Sequence, residues 1–166
     1  KRLAQGHDVT VITTRTWEEN RLTNRVSCIP SGANLVRFDV PYNNSMTSLQ
    51  RLWSFLKYAV RATVYGLRMP RPDLIIGSST PLTAATAAAT VASLRNIPWI
   101  FEVRDLWPDF PIQMGALPWP WVQSLLYRLE HTLYRSASHV VTLSSDMEAH
   151  VRTVTSDTRV TTLEYG

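Results

Sequence analysis

Val9-Thr10-Val11-Ile12-Thr13-Thr14 is a run of β-branched residues and predicts a strand. Residues 15–25 are polar and read as loop. Arg25–Ile29 and Asn34–Val40 flank Pro30-Ser31-Gly32, either as a hairpin or as two short strands. Thr47-x-x-Gln50 is a capping box, in which each residue's side chain satisfies the other's backbone donor, and it opens a helix over about 48–69. Met69-Pro70-Arg71-Pro72 ends it, because proline has no amide hydrogen and pushes the preceding residue out of helical geometry. Asp73–Ser79 is a strand running into a turn of small residues, with Thr80 as N-cap and Pro81 as the first residue of an alanine-rich helix reaching Leu94. Trp99–Arg104 is the next strand. A loop of Pro, Gly and Trp spans 107–121, followed by a helix over Val122–Ser136 and a strand over His139–Leu143. Ser145-Asp146-Met147-Glu148 reads as a second capping box, opening a helix to about Val154, and Arg159–Leu163 as the last strand.

Strands therefore alternate with helices, and 74–76 and 139–143 are almost wholly apolar or β-branched. Strands buried on both faces look like this. The pattern predicts an α/β fold, a Rossmann-like parallel sheet with helices on both faces. Lys1-Arg2-Leu3-Ala4-Gln5-Gly6 reads as the last turn of a helix with a glycine stop, which places a strand and most of a helix upstream.

Composition narrows the function. With 166 residues, 45% hydrophobic and 18% charged, the chain fits one globular domain with a sizeable core. Cys28 is the single cysteine, so neither an internal disulfide framework nor a clustered-cysteine metal site is available. His7, His131, His139 and His150 show no metal-binding spacing. No run of 18 apolar residues occurs, and no signal peptide is visible. The net charge of +4 suits anionic partners such as phosphorylated sugars or anionic lipid, and equally a solvated basic surface. Nucleic acid is not expected as a partner, because no reader motif accompanies the basic residues.

Ligands of open parallel sheets bind beyond the carboxyl ends of the strands. Two stretches fall there. In Gly77-Ser78-Ser79-Thr80-Pro81, small residues allow close backbone approach and the next helix aims free N–H groups at the same point, which suits a phosphate or sugar hydroxyl. An ordinary strand-to-helix turn reads the same way. In Phe101-Glu102-Val103-Arg104-Asp105-Leu106-Trp107-Pro108-Asp109, alternation puts Glu102 and Arg104 on one face and Phe101 and Val103 on the other. Buried charges need partners, so Glu102 and Arg104 are expected to pair. Asp105 falls at the strand's end, either as a general base or hydroxyl-orienting carboxylate or as a turn cap.

The helix over 48–69 is a third feature. No Asp or Glu occurs between Asp39 and Asp73, whereas Lys57, Arg61 and Arg68 share one side of the helix and Trp53, Phe55, Tyr58 and Tyr65 interleave with them. Such a helix either lies on an anionic membrane surface or packs with a solvated basic stripe. The loop Leu117-Pro118-Trp119-Pro120-Trp121 is a further interfacial anchor or a packed lid.

Taken in order, GHDVTVIT, RPDLIIGSSTPL, IPWIFEVRDLWPD and LEHTLYRSASHVVTLSSDM resemble the N-terminal domain of family 4 glycosyltransferases of the GT-B fold. The nearest likeness is to the WbuB-like group that builds bacterial surface polysaccharide. The resemblance covers nearly the whole chain. It implies an acceptor-side Rossmann-like domain over 1–166, truncated at both ends, with its first strand and Gly-rich loop missing and a C-terminal donor-binding domain absent. It implies retaining transfer from a nucleotide diphosphate sugar to a saccharide or polyprenyl-linked acceptor, without metal or cofactor. The setting implied is cytoplasmic, peripheral on the inner face of the membrane. On this resemblance Asp105 is the catalytic candidate. Arg104, Glu102, Ser78, Ser79, Thr80 and Trp107 are acceptor- or phosphate-binding candidates, and Lys57, Arg61, Arg68 and Trp53 face the membrane. Many family members carry His-Asp where this chain has Arg104-Asp105, and no two glutamates here are spaced as in the donor-binding signature. The fragment alone is therefore expected to be inactive. The rival reading is a non-enzymatic Rossmann-like module that binds a membrane surface or a protein partner.

Overall fold

The computed structural model describes residues 6–14, 26–28, 32–43, 45–113, 115, 117–156 and 159–163. The expected helical turn at Lys1–Gln5 and the loop 15–25 lie outside them. The chain divides into two units, Lys1–Arg61 and Ala62–Gly166.

In the first unit, β1 (Thr10–Thr14), β2 (Val26–Cys28) and β3 (Asn34–Phe38) form a sheet in the order β1-β3-β2. β1 and β3 are parallel, with Thr10 opposite Asn34 and Thr14 opposite Phe38. β2 is antiparallel to β3, so the two short runs around Pro30-Ser31-Gly32 pair with each other. Ala33, Leu35, Val36 and Val40 are buried. Helix α1 (Ser48–Arg68) starts here and ends in the second unit. Its capping box forms as expected: Thr47 N–H donates to Gln50 Oε1 at 3.0 Å, and Gln50 N–H to Thr47 Oγ1 at 3.4 Å. Its inward face carries polar anchors as well as rings. Tyr58 OH donates to the Ile12 carbonyl at 3.1 Å and Ser54 Oγ to the Pro41 carbonyl at 2.7 Å. Phe38 meets Tyr58 edge-on and Tyr42 stacks on Phe55.

The second unit holds β4 (Ile75–Ser78), α2 (Leu82–Arg95), β5 (Trp99–Val103), α3 (Asp109–Gln113), α4 (Pro120–Ser136), β6 (His139–Thr142), α5 (Ser145–Val154) and β7 (Val160–Thr162). Its four strands are all parallel, in the order β4-β5-β6-β7. Parallel neighbours need crossover connections, which is what the intervening helices supply. β5 shows the alternation that decides the layers: Trp99, Phe101 and Val103 are buried, Ile100 and Glu102 only partly so. The buried set meets Leu82 and Ala85 of α2, Leu133 and Tyr134 of α4, and Val151 of α5 in one core. Phe101 sits between Trp99 and Tyr134, with ring centroids 5.5 and 5.4 Å away. The α/β architecture is thus as expected, parallel strands flanked by helices.

The alanine content of α2 has a packing reason. A methyl group at Gly77 of β4 would lie 2.6 Å from Ala88 Cβ, so strand and helix are in closest contact where both residues are small. Gly66 of α1 meets Val91 of α2 in the same way. Arg95 then donates to the carbonyls of Gly66 and Met69 at 2.7 and 3.0 Å, satisfying acceptors left open at the end of α1.

Three local expectations shift. Thr80 is not a cap: α2 is preceded by Pro81 with no side-chain cap, because the Thr80 hydroxyl is bonded elsewhere. Ser144, not Ser145, caps α5, accepting from Met147 N–H at 3.3 Å. The register moves by one because Glu148 is engaged by Arg152 and Thr162 rather than turning back to its own helix start. Finally, the loop 107–121 contains α3 and the first two residues of α4, which begins with Pro120 at its first position.

Candidate functional site

The carboxyl ends of β4 and β5 lie side by side, with Ser78 in register with Glu102. The segments that follow are joined through one hydroxyl. Ser79 is 1% exposed. Its Oγ accepts the N–H groups of Arg104 and Asp105, both at 3.0 Å, and donates to the Asp105 carbonyl at 3.1 Å. Its own N–H donates to the Glu102 carbonyl at 3.0 Å, extending the strand pairing by one bond. A hydroxyl has one proton and two lone pairs, so Ser79 is fully used within the protein. It shapes the site and has no capacity left for a ligand.

Thr80, by contrast, is exposed and donates Oγ1 to Asp105 Oδ2 at 2.8 Å. Asp105 is partly exposed. Its backbone is clamped by Ser79 and one carboxylate oxygen is aimed by Thr80, which leaves the other oxygen to meet a hydroxyl. Trp107 N–H closes the turn onto the Asp105 carbonyl at 3.1 Å. The Trp107 and Leu106 side chains pack against the core rather than standing free in the cleft. Arg104 is exposed beside Asp105, and Glu102 is partly buried on the opposite sheet face from Phe101. The expected Glu102–Arg104 ion pair does not form within 4.0 Å; the strand ends at Val103 and Arg104 turns away with the loop. Ser78 Oγ and Thr83 Oγ1, flanking the Ser79–Thr80 turn, are buried with no hydrogen-bond partner.

Behind this loop lies a cluster the sequence did not single out. Glu130 of α4 is 1% exposed; its Oε1 accepts from Tyr134 OH at 3.0 Å and lies 3.3 Å from His150 Nε2 of α5. His150 Nδ1 faces Asp109 Oδ2 of α3 at 3.9 Å, and Tyr127 OH donates to Asp109 Oδ1 at 2.5 Å. Burial pushes the Glu130 carboxyl up from its ordinary value, against the lowering effect of Tyr134 and His150. The Tyr127 hydroxyl is pushed up to about 12, first by its bond to Asp109. Asp109 is four residues past Asp105, so this cluster fastens the far end of the Asp105 loop to α4 and α5. A helix-spaced pair, Glu130 and Tyr134, was the one signal available in the sequence.

On α1, Trp53, Lys57, Arg61 and Arg68 are all exposed, and Arg61 also donates to the Asp39 carbonyl at 2.5 Å. Among the described residues no helix is long and apolar enough to cross a membrane. Nor do three metal-binding side chains gather anywhere among them. An open cavity of about 220 Å³ lined by Arg71, Pro72, Asp73, Ile97 and Pro98 lies at the amino ends of β4 and β5, the end parallel sheets seldom use for ligands.

A fixed carboxylate with an exposed arginine beside it, at the carboxyl ends of adjacent parallel strands, suits a hydroxyl-bearing ligand that also carries negative charge. No curated protein matches the chain. The model of the glycosyl transferase 4-like domain matches residues 2–166, and the chain belongs to that family.

Proposed function

We propose that the chain is the acceptor-side domain of a retaining glycosyltransferase that moves a sugar from a nucleotide diphosphate donor to a lipid-linked saccharide in bacterial surface polysaccharide synthesis. Family membership supports the transfer of a sugar. The observation that carries the site is Asp105, its backbone held by Ser79 and one carboxylate oxygen oriented by Thr80. On this reading Asp105 receives or orients the acceptor hydroxyl, and Arg104 meets the acceptor's negative charge. No metal or cofactor takes part. The donor is held by a second domain, so 1–166 alone transfers nothing. The protein works at the cytoplasmic face of the membrane, where a lipid-linked acceptor is found.

The test is Asp105→Asn in the full-length enzyme. The change keeps the shape and the Thr80 contact but removes the basic oxygen, so turnover should fall about a hundredfold or more with the circular dichroism unchanged. Turnover close to wild type would return Asp105 to a purely structural role. Absence of sugar transfer by the wild-type enzyme with any nucleotide sugar would favour a non-enzymatic binding module instead.

A further inference from the structure

The segment after β5 carries two carboxylates, Asp105 and Asp109. Asp105 turns one oxygen to Thr80 and leaves the other for a ligand. Both oxygens of Asp109 are turned to the protein. Oδ1 accepts from Tyr127 OH of α4 at 2.5 Å, and Oδ2 faces His150 Nδ1 of α5 at 3.9 Å. The other nitrogen of that ring lies 3.3 Å from Glu130 Oε1, which also accepts from Tyr134 OH. Glu130 and Tyr134 are each 1% exposed, so a line of polar contacts runs from Asp109 into the core. Asp109 also opens α3, a helix of five residues. So short a helix is not held by its own backbone bonds, and its place depends on what its side chains grip.

We infer that Asp109 is a positioning residue for the proposed sugar transfer: gripped by Tyr127 and His150, it fixes the far end of the loop whose near end presents Asp105. Four residues of chain reach at most about 14 Å. Within that length Leu106 and Trp107 pack against the core and Pro108 is buried, so little of the loop is free to absorb a shift at Asp109. At the near end Ser79 holds the Asp105 backbone, but the carboxylate is aimed by Thr80 through an exposed bond that water can replace. The aim of the carboxylate therefore depends on where the loop is set. The Tyr127 bond is strong enough to set it, because its acceptor is an ionised carboxylate. The inference rests on the role proposed for Asp105.

The experiment uses the full-length enzyme and two readouts. One is amide hydrogen exchange of the segment 104–109, which needs no substrate. The other is transfer kinetics, with a panel of nucleotide diphosphate sugars as donors and a short polyprenyl diphosphate saccharide as acceptor. Asp109→Ala should speed exchange and lower kcat about tenfold with the donor KM unchanged, since a misplaced reacting group costs rate rather than donor binding. Tyr127→Phe should do the same about threefold. Asp109→Asn, which keeps an oxygen for Tyr127, should recover most of the loss. In an Asp105→Asn background, Asp109→Ala should lower the residual rate no further, because it acts through Asp105. A loss of folded enzyme would instead multiply the two effects. Four outcomes overturn the inference: unchanged exchange in Asp109→Ala, unchanged kcat in that variant, multiplied losses in the double variant, or a slow Asp109→Ala beside a Tyr127→Phe equal to wild type. The last would make Asp109 a substrate contact. A wild type that transfers no sugar sinks the reading of Asp105 and this role with it, and the exchange data tell that failure from a loop that Asp109 does not hold. If Asp109→Ala fails to fold, Tyr127→Phe decides, since it alters an exposed side chain.

Discussion

Ser79 does more for the site than its size suggests. One side chain closes two backbone N–H groups and one carbonyl in the loop after β5, and it does so from the loop after β4. Ser79→Ala would leave those part-buried amides without their acceptor, at a cost of about 1–3 kcal/mol. Urea denaturation measures this directly. A loss below about 0.5 kcal/mol would mean that water enters and replaces the hydroxyl. None of this could be read locally. The stretch Gly77–Pro81 announces a turn, and capping rules assign Thr80 to its own helix. Yet Ser79 and Thr80 both bond to Asp105, and neither partner lies nearby in sequence. That Asp105 follows a strand's carboxyl end, beside the turn after the neighbouring strand, was legible from the strand pattern. The division of roles between a saturated Ser79 and an exposed Thr80 was not.

Elements were legible where their signals are local. The α1 capping box, the proline stop after it and the alanine run of α2 all concern neighbours in sequence, and all appear as expected. α3 was missed because five residues containing a proline carry no usable periodicity. The orientation of α1 was half legible. Its apolar period is clear in the sequence, but a period does not say which stripe faces inward. Here the stripe anchored by the Tyr58 and Ser54 hydroxyls packs, and the leucine stripe is left outside. Packing between elements also makes a sharp prediction at Gly77. In Gly77→Ala the new methyl meets Ala88 Cβ at 2.6 Å on a buried interface of strand and helix. The helix must move, and destabilisation of about 1–3 kcal/mol is expected. Adding Ala88→Gly should recover most of that loss in a double-mutant cycle, since the clash is between those two methyls. Additive effects would place the strain elsewhere.

For the whole molecule, the buried cluster behind the site sets a pH dependence whose sign can be worked out. Glu130 faces Tyr134 on its own helix, His150 on α5 and Asp109 on α3. Burial dominates, so the folded-state carboxyl holds its proton more tightly than the ordinary value of 4.5. Its contribution therefore favours folding below that value and fades as pH rises through the raised one. Glu148 behaves oppositely. Its bonds from Thr162 and Arg152 lower it, so its contribution is present at neutral pH and is lost in acid. Glu130→Gln separates the two, because glutamine keeps the size and one acceptor oxygen while it cannot ionise. Over the window that opens at about pH 4.5, the wild-type denaturation midpoint should fall relative to that of Glu130→Gln as pH rises, and below this window the two should run parallel. His150 lowers the Glu130 carboxyl, so in a His150→Gln background the divergence should grow and extend to higher pH. A midpoint difference that stays flat across the window would mean that Glu130 is already solvated or fully paired, and that the anchoring of the Asp105 loop by α4 and α5 does not depend on its charge.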